Sequence, residues 1–126
     1  MTAVIDASVM LAILFDEPGG KEAFGMIEGG LLSTVNLSEV LTKSMAHNAT
    51  AEFSEVQVSR LGLELVSFCA ADAMEAAKLR PLTRHKGLSL GDRACLALAL
   101  RRGLPVLTAD RHWDGLDIGV DIRLIR

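Results

Sequence analysis

Short apolar runs alternate with longer amphipathic segments along the chain, a pattern typical of alternating strands and helices. Strands are predicted at residues 3–6, 31–35, 63–68, 105–108 and 122–125. Because these runs are apolar throughout rather than at every second position, we expect strands that are buried on both faces. The pattern therefore predicts an α/β fold with a central, mostly parallel, five-stranded sheet covered by helices on both sides.

Helices are predicted between the strands from apolar residues at helical spacing and from capping signals. They cover residues 9–15, 21–28, a segment from residue 37 onward, and residues 51–61, 71–79 and 91–102. We expect Ser8 to cap the first helix and Asn36 the third. Pro81 is expected to end or kink the fifth, and Gly103 to close the sixth.

The length of 126 residues and a hydrophobic content of 50% predict one domain, residues 1–126, with a sizeable core. The longest uninterrupted apolar runs, residues 9–15 and 94–100, are too short to cross a bilayer. The amino terminus lacks a basic region ahead of its apolar stretch, so no secretory signal is expected. These features predict a cytoplasmic protein.

Four carboxylates stand where predicted elements begin or end. Asp6 and Asp110 follow the first and fourth strands, whereas Glu39 and Asp92 lie in the first turns of two helices. Each alone has an ordinary explanation as a turn or capping residue, and Glu39 three residues after Asn36 resembles a capping box. Ligands of open α/β sheets bind at the carboxyl edge of the strands, so we expect the four acids to converge there.

Converging carboxylates repel one another unless a cation neutralises them. Oxygen ligands suit Mg²⁺ or Mn²⁺, and such ions bind phosphodiesters and activate water. The four acids therefore predict a catalytic metal site that hydrolyses nucleic acid. Ser8, Asn36 and Thr108 lie beside them in the sequence and are expected to support the site.

The net charge of −3 argues at first against a polyanionic partner. Basic residues are concentrated late in the chain, however, with ten Lys/Arg against eight Asp/Glu in residues 64–126. Mild acidity therefore does not exclude RNA as the substrate. Arg93, Arg111 and His112 adjoin two of the acids and are candidate contacts for it.

The segments VIDASVMLAILFDEPGG, NLSEVL and LSLGDRACLALALRRGLPVLTADRHW resemble the PIN-domain ribonucleases, and most of all the VapC-type toxins of bacterial toxin–antitoxin pairs. The resemblance covers essentially the whole chain in the right order. It implies a three-layer α/β/α fold and a Mg²⁺- or Mn²⁺-dependent endoribonuclease in which Asp6, Glu39, Asp92 and Asp110 are the acidic quartet. Ser8 and Thr108 match the hydroxyl residues that accompany it.

The same resemblance implies a cognate VapB-type antitoxin as partner and a homodimer. Two alternatives remain. A phosphoryl-transfer domain of the phosphatase or receiver type also carries aspartates at strand ends, but Ser8 stands where such a phosphatase has its second aspartate, and the late strand lacks the lysine of a receiver. A non-catalytic module that only binds the antitoxin would gain nothing from clustered acids, which destabilise a metal-free fold.

Overall fold

A computed structural model describes residues 2–126, which form five strands, six α-helices and two short 3₁₀ segments, residues 84–86 and 111–113. The strands are β1 (Val4–Ile5), β2 (Leu31–Ser33), β3 (Glu64–Val66), β4 (Val106–Thr108) and β5 (Ile122–Leu124). The α-helices are α1 (Ala7–Leu14), α2 (Gly20–Phe24), α3 (Thr34–Ala46), α4 (Ala51–Ser59), α5 (Ala70–Thr83) and α6 (Leu90–Arg102). All five predicted strands and all six predicted helices are present.

The strands form one parallel sheet in the order β3-β2-β1-β4-β5. The chain runs outward from the central β1 to β2 and β3 and then crosses to the other side of β1 to form β4 and β5. The order in which strands are added to the sheet therefore reverses between β1 and β4. In open α/β sheets, a binding crevice lies outside the carboxyl ends of the strands at such a switch point.

The two faces of the sheet bury separate apolar clusters. Ile5, Leu32 and Leu107 pack with residues of α1 to α4 on one face, and their strand neighbours on the other face pack with α5 and α6. Side chains of a strand alternate between faces, so both faces are covered only because consecutive strand residues are apolar. The three-layer α/β/α arrangement with a parallel sheet is thus confirmed.

Two helices begin earlier than the sequence indicates, because different residues cap them. Asp6, not Ser8, is the N-cap of α1, and its side chain accepts from the backbone N–H of Ser8. Ser33 rather than Asn36 caps α3, so β2 ends at Ser33 instead of residue 35. As a result, Asn36 lies inside α3 and Glu39 lies in its second turn.

Helix α5 continues through Pro81 to Thr83, so the prediction that the helix ends at this proline is wrong. Ala76, Leu79 and Thr83 are buried along this helix, which packs extensively against α6. That packing outweighs the cost of a proline near the last turn. The bounds of helix α6 agree with the prediction to within one residue. Gly103 follows its last residue as the C-terminal cap, with a left-handed φ of 64°.

Candidate metal centre

Asp6 follows the central strand β1 and is only 4% exposed. Its Oδ2 accepts hydrogen bonds from the hydroxyls of Ser8, at 2.5 Å, and Thr108, at 3.0 Å, in addition to the Ser8 backbone N–H. Within residues 2–126, no hydrogen bond reaches its other oxygen, Oδ1. One oxygen of Asp6 thus fastens β1, α1 and β4 together, and the other is available for a ligand.

The surroundings of Asp6 oppose its ionisation. Burial raises its pKa most, the hydrogen bonds from Ser8 and Thr108 lower it, and the charges of Asp92 and Glu39 raise it further, to about 6 from 3.8. A nearby cation would reverse this effect by favouring the charged form. The raised pKa of Asp6 therefore reflects chiefly the burial of its carboxyl group and, to a smaller extent, the two neighbouring acids.

Glu39 is held against the start of α6 by Asn36. The Asn36 amide donates to Glu39 Oε1 at 2.8 Å and to the carbonyl oxygen of Gly91 at 3.0 Å. The Glu39 carboxylate packs directly over Gly91 and occupies the space that a Cβ at residue 91 would fill. Asn36 is fully buried, and its Oδ1 has no hydrogen-bond partner among residues 2–126. Asn36 thus holds the Glu39 carboxylate in place but does not cap the helix.

Asp92 lies in the first turn of α6 and forms a capping box with Ser89. Its Oδ2 accepts from the Ser89 backbone N–H at 2.9 Å, and the Ser89 hydroxyl accepts from the Asp92 N–H at 3.2 Å. Oδ1 of Asp92 has no hydrogen bond within residues 2–126. The capping explanation and the metal-ligand explanation are therefore compatible, because they use different oxygens.

Asp110 follows β4 and caps the 3₁₀ segment of residues 111–113. Its Oδ1 accepts from the His112 N–H at 2.9 Å and lies 3.4 Å from His112 Nδ1. Its backbone N–H donates to the Thr108 hydroxyl at 3.0 Å, and the same hydroxyl donates to Asp6. Thr108 therefore connects the loop of Asp110 to Asp6.

Asp6, Glu39 and Asp92 lie near enough to the buried Cys95 for their charges to affect it. Cys95, buried in α6, has a pKa raised well above its usual value, first by burial and then by the charges of Asp6, Asp92 and Glu39. Asp110 is connected to these three indirectly, because its backbone N–H bonds to the Thr108 hydroxyl, which in turn bonds to Asp6. Asp6, Glu39 and Asp92 are therefore in the same region of the molecule, and Thr108 connects Asp6 to the backbone of Asp110.

The donor set has the chemistry that Mg²⁺ or Mn²⁺ requires. In each of the four acids, one oxygen makes hydrogen bonds and the other accepts none from the described part of the chain. No three Asp, Glu, His or Cys side chains among residues 2–126 are close enough to enclose an ion together. Mg²⁺ usually binds through one or two carboxylates and keeps several waters, so the residues present fit such an ion.

The candidate substrate contacts have different surroundings. Arg111 and His112 are exposed beside Asp110. Arg93 is half-buried, and its guanidinium donates to the carbonyl oxygen of Ala76 in α5 at 2.9 Å, which ties α6 to α5. Two residues that the sequence analysis did not single out, Gly91 and Ser89, help to place Glu39 and Asp92. A glycine immediately before an acid in a helical first turn was the available signal for Gly91.

No helix within residues 2–126 is both long enough and apolar enough to cross a membrane.

Comparisons with known proteins agree with this fold. The family model described as PIN domain matches residues 3–119. A search of curated protein sequences gave no significant match.

Similar solved structures include a toxin–antitoxin complex from Klebsiella pneumoniae (17% identity, TM-score 0.78, 98% of each chain) and DNA-bound VapBC from Salmonella typhimurium (20%, 0.75, 100% of each). VapBC-5 from Mycobacterium tuberculosis, a member of the VapBC family of toxin–antitoxin systems, is 26% identical, with a TM-score of 0.63 over 99% of this chain and 98% of that one. Because the PIN domain model covers nearly the whole chain, this protein belongs to the PIN domain family.

Proposed function

We propose that this protein is a Mg²⁺- or Mn²⁺-dependent endoribonuclease and the toxin of a VapBC-type toxin–antitoxin pair. The observation that carries the proposal is the set of four carboxylates at the switch point of the sheet, each with one oxygen that makes no hydrogen bond in the described chain. Membership of the PIN domain family and similarity to toxin–antitoxin complexes support it.

The ion would be held among Asp6, Glu39, Asp92 and Asp110, with one or two of these carboxylates as ligands and several retained waters. A bound Mg²⁺ or Mn²⁺ would supply Lewis-acid chemistry, by which the pKa of water would fall and charge on the scissile phosphate would be offset. The chain's own contribution is to fix the carboxylates before the ion arrives: Ser8 and Thr108 hold Asp6, and Asn36 holds Glu39. Such supporting hydrogen bonds set the orientation of the ligands.

Arg111 and His112 are exposed next to Asp110 and are proposed to contact the RNA. Arg93, which is bonded to α5, is also proposed to provide positive charge near Asp92. We further propose that the protein cleaves RNA in the cytoplasm, that a VapB-type antitoxin inhibits it, and that it forms a homodimer. Nothing in the comparisons supports the phosphatase or receiver alternative.

The purified protein, freed of any antitoxin, is expected to cleave RNA in Mg²⁺ or Mn²⁺ and to stop when EDTA is added. Cleavage should return when metal is added in excess over the chelator, because the acids cannot activate water without the ion. Gel analysis of a defined RNA measures this directly.

An Asp6→Asn preparation, purified in parallel, controls for a contaminating nuclease. Cleavage that continues unchanged in EDTA would rule out the metal mechanism. A protein that binds antitoxin but cleaves no RNA under any metal condition would instead be a non-catalytic module.

A further inference from the structure

A cavity of about 250 Å³ opens beside the acid cluster and has no role in the mechanism above. We call it the Lys43 cavity, and it is lined by Ser8, Leu11, Phe15, Glu17, Lys43, His47 and Arg126. Ser8 belongs to both places, since its hydroxyl donates to Asp6. We propose that the Lys43 cavity binds a backbone phosphate of the RNA strand next to the one that is cleaved, an inference that rests on the proposed function.

The cavity and the acid cluster lie along one face of α3. Glu39, Lys43 and His47 are four residues apart, and residues at this spacing share a helix face. With a rise of 1.5 Å per residue, Lys43 lies about 6 Å and His47 about 12 Å along the axis from Glu39. A strand that enters the acid cluster and continues along α3 therefore passes Lys43 first and His47 next.

Lys43 is not engaged in holding the fold together. It is exposed, and its ammonium makes neither an ion pair nor a hydrogen bond with residues 2–126. A glutamate four residues before a lysine usually pairs with it on a helix. Here the carboxylate of Glu39 is held instead by Asn36 and packs over Gly91. The Lys43 charge therefore remains available to an anion.

His47 is held in place by two contacts. Its ring stacks on Phe15, with centroids 4.3 Å apart and planes inclined by 26°, and its Nδ1 lies 2.9 Å from the Lys43 carbonyl oxygen. Nε2 has no hydrogen-bond partner within residues 2–126, so it is free to face a ligand. On the opposite wall, Arg126 lies 3.6 Å from Glu17 and donates to the Pro18 carbonyl. This pair largely cancels its own charge, which leaves Lys43 as the dominant charge of the cavity.

A phosphate matches this combination of groups. Lysine binds phosphate as a point charge, and contacts of this kind position a nucleic acid without reading its sequence. A protein partner with an acidic side chain is the competing occupant, and the experiment below separates the two.

The test uses proteins that all carry Asp6→Asn, so that bound RNA is not cut. Lys43→Gln is added in one and Lys78→Gln in the matched control. Lys78 is an exposed lysine on α5, with a long 3.9 Å contact to Glu75 and no place in the cavity. Binding of a labelled single-stranded RNA is followed by fluorescence anisotropy over a range of NaCl concentrations at fixed Mg²⁺, with two unrelated RNA sequences.

Lys43→Gln is expected to weaken binding roughly fivefold at low salt, for both RNA sequences alike. The slope of log K against log salt should become shallower by about 0.7, the change expected when one single-stranded phosphate contact is lost. His47→Gln should weaken binding less, and Lys78→Gln should change neither quantity. Equal affinity and slope for Lys43→Gln and Lys78→Gln would overturn the proposal.

A Lys43→Gln protein that binds RNA normally but no longer binds its antitoxin would also overturn it, because the cavity would then be a protein-docking site. Failure of the proposed function looks different. If the wild-type protein cleaves no RNA in any metal while Lys43→Gln still flattens the salt dependence, the nuclease assignment falls and the phosphate subsite stands.

Discussion

The Asp6→Asn variant is expected to lose RNA cleavage by about 10³-fold while its metal-free form unfolds at a higher temperature than the wild type. Catalysis is lost because the amide cannot replace a charged metal ligand, and metal ions contribute several kcal/mol to such reactions. Stability rises because the amide oxygen of asparagine still accepts from Ser8 and Thr108 but carries no charge into the buried cluster.

The stability gain should depend on pH in a defined direction. The pKa of Asp6 is raised to about 6 in the folded protein from 3.8, so the folded state binds the proton more tightly than the unfolded state. Above pH 6, Asp6 is ionised in both states, and the folded state bears the full cost of the charge, at most about 3 kcal/mol. This cost disappears as the pH falls toward 3.8, and the advantage of asparagine disappears with it.

Thermal unfolding of both proteins in EDTA, at several pH values from 4 to 8 or so, measures this difference. Asp117→Asn, which removes an exposed carboxylate in the loop after β4, is the matched control and should shift neither activity nor stability. A metal-free Asp6→Asn protein that is less stable than the wild type at pH 8 would contradict the picture of a buried, repelled carboxylate.

Gly91→Ala is expected to reduce RNA cleavage about 10- to 100-fold with little loss of folding stability. A Cβ at residue 91 would overlap the Glu39 carboxylate, the end of a flexible side chain that is able to move away. Displacing a ligand or its support typically costs that much activity or metal affinity. Alanine favours a helix over glycine by up to about 1 kcal/mol, so the fold should tolerate the change.

Urea unfolding together with cleavage rates over a range of Mg²⁺ concentrations measures both effects. Gly25→Ala is the matched control, because a Cβ there would meet only the Glu22 carbonyl oxygen at an ordinary 3.7 Å. If Gly91→Ala cleaves RNA like the wild type at every Mg²⁺ concentration, Glu39 does not need the position in which the structure holds it.

The sheet and the strand-end positions of Asp6 and Asp110 were predictable from the sequence because both depend on local patterns. Continuous apolar runs identified the strands, and the strand ends placed Asp6 and Asp110 at one edge. The helix starts were less predictable, since Asp6 and Ser8, or Ser33 and Asn36, are equally good caps within a few residues of each other. Only the tertiary structure decides which of them begins the helix.

Contacts between distant segments were not accessible from the sequence. The Asn36 bond to Gly91 joins residues 55 positions apart, and the fit of Glu39 over Gly91 depends on how α3 crosses α6. The passage of α5 through Pro81 likewise follows from packing on α6 rather than from local preference. The contacts of Asn36 and Glu39 with Gly91 fix where the Glu39 carboxylate lies against α6, so they affect the geometry of the site.

Anomalous diffraction from crystals of the wild-type protein soaked in Mn²⁺ tests the central claim most directly. The account predicts a Mn²⁺ peak at the carboxyl edge of β1 and β4, in contact with Asp6 and with at least one of Glu39, Asp92 and Asp110. The peak should be absent from Asp6→Asn crystals treated in the same way. A Mn²⁺ ion bound only elsewhere, or a peak that persists in the variant, would contradict the assignment of these carboxylates as a metal centre.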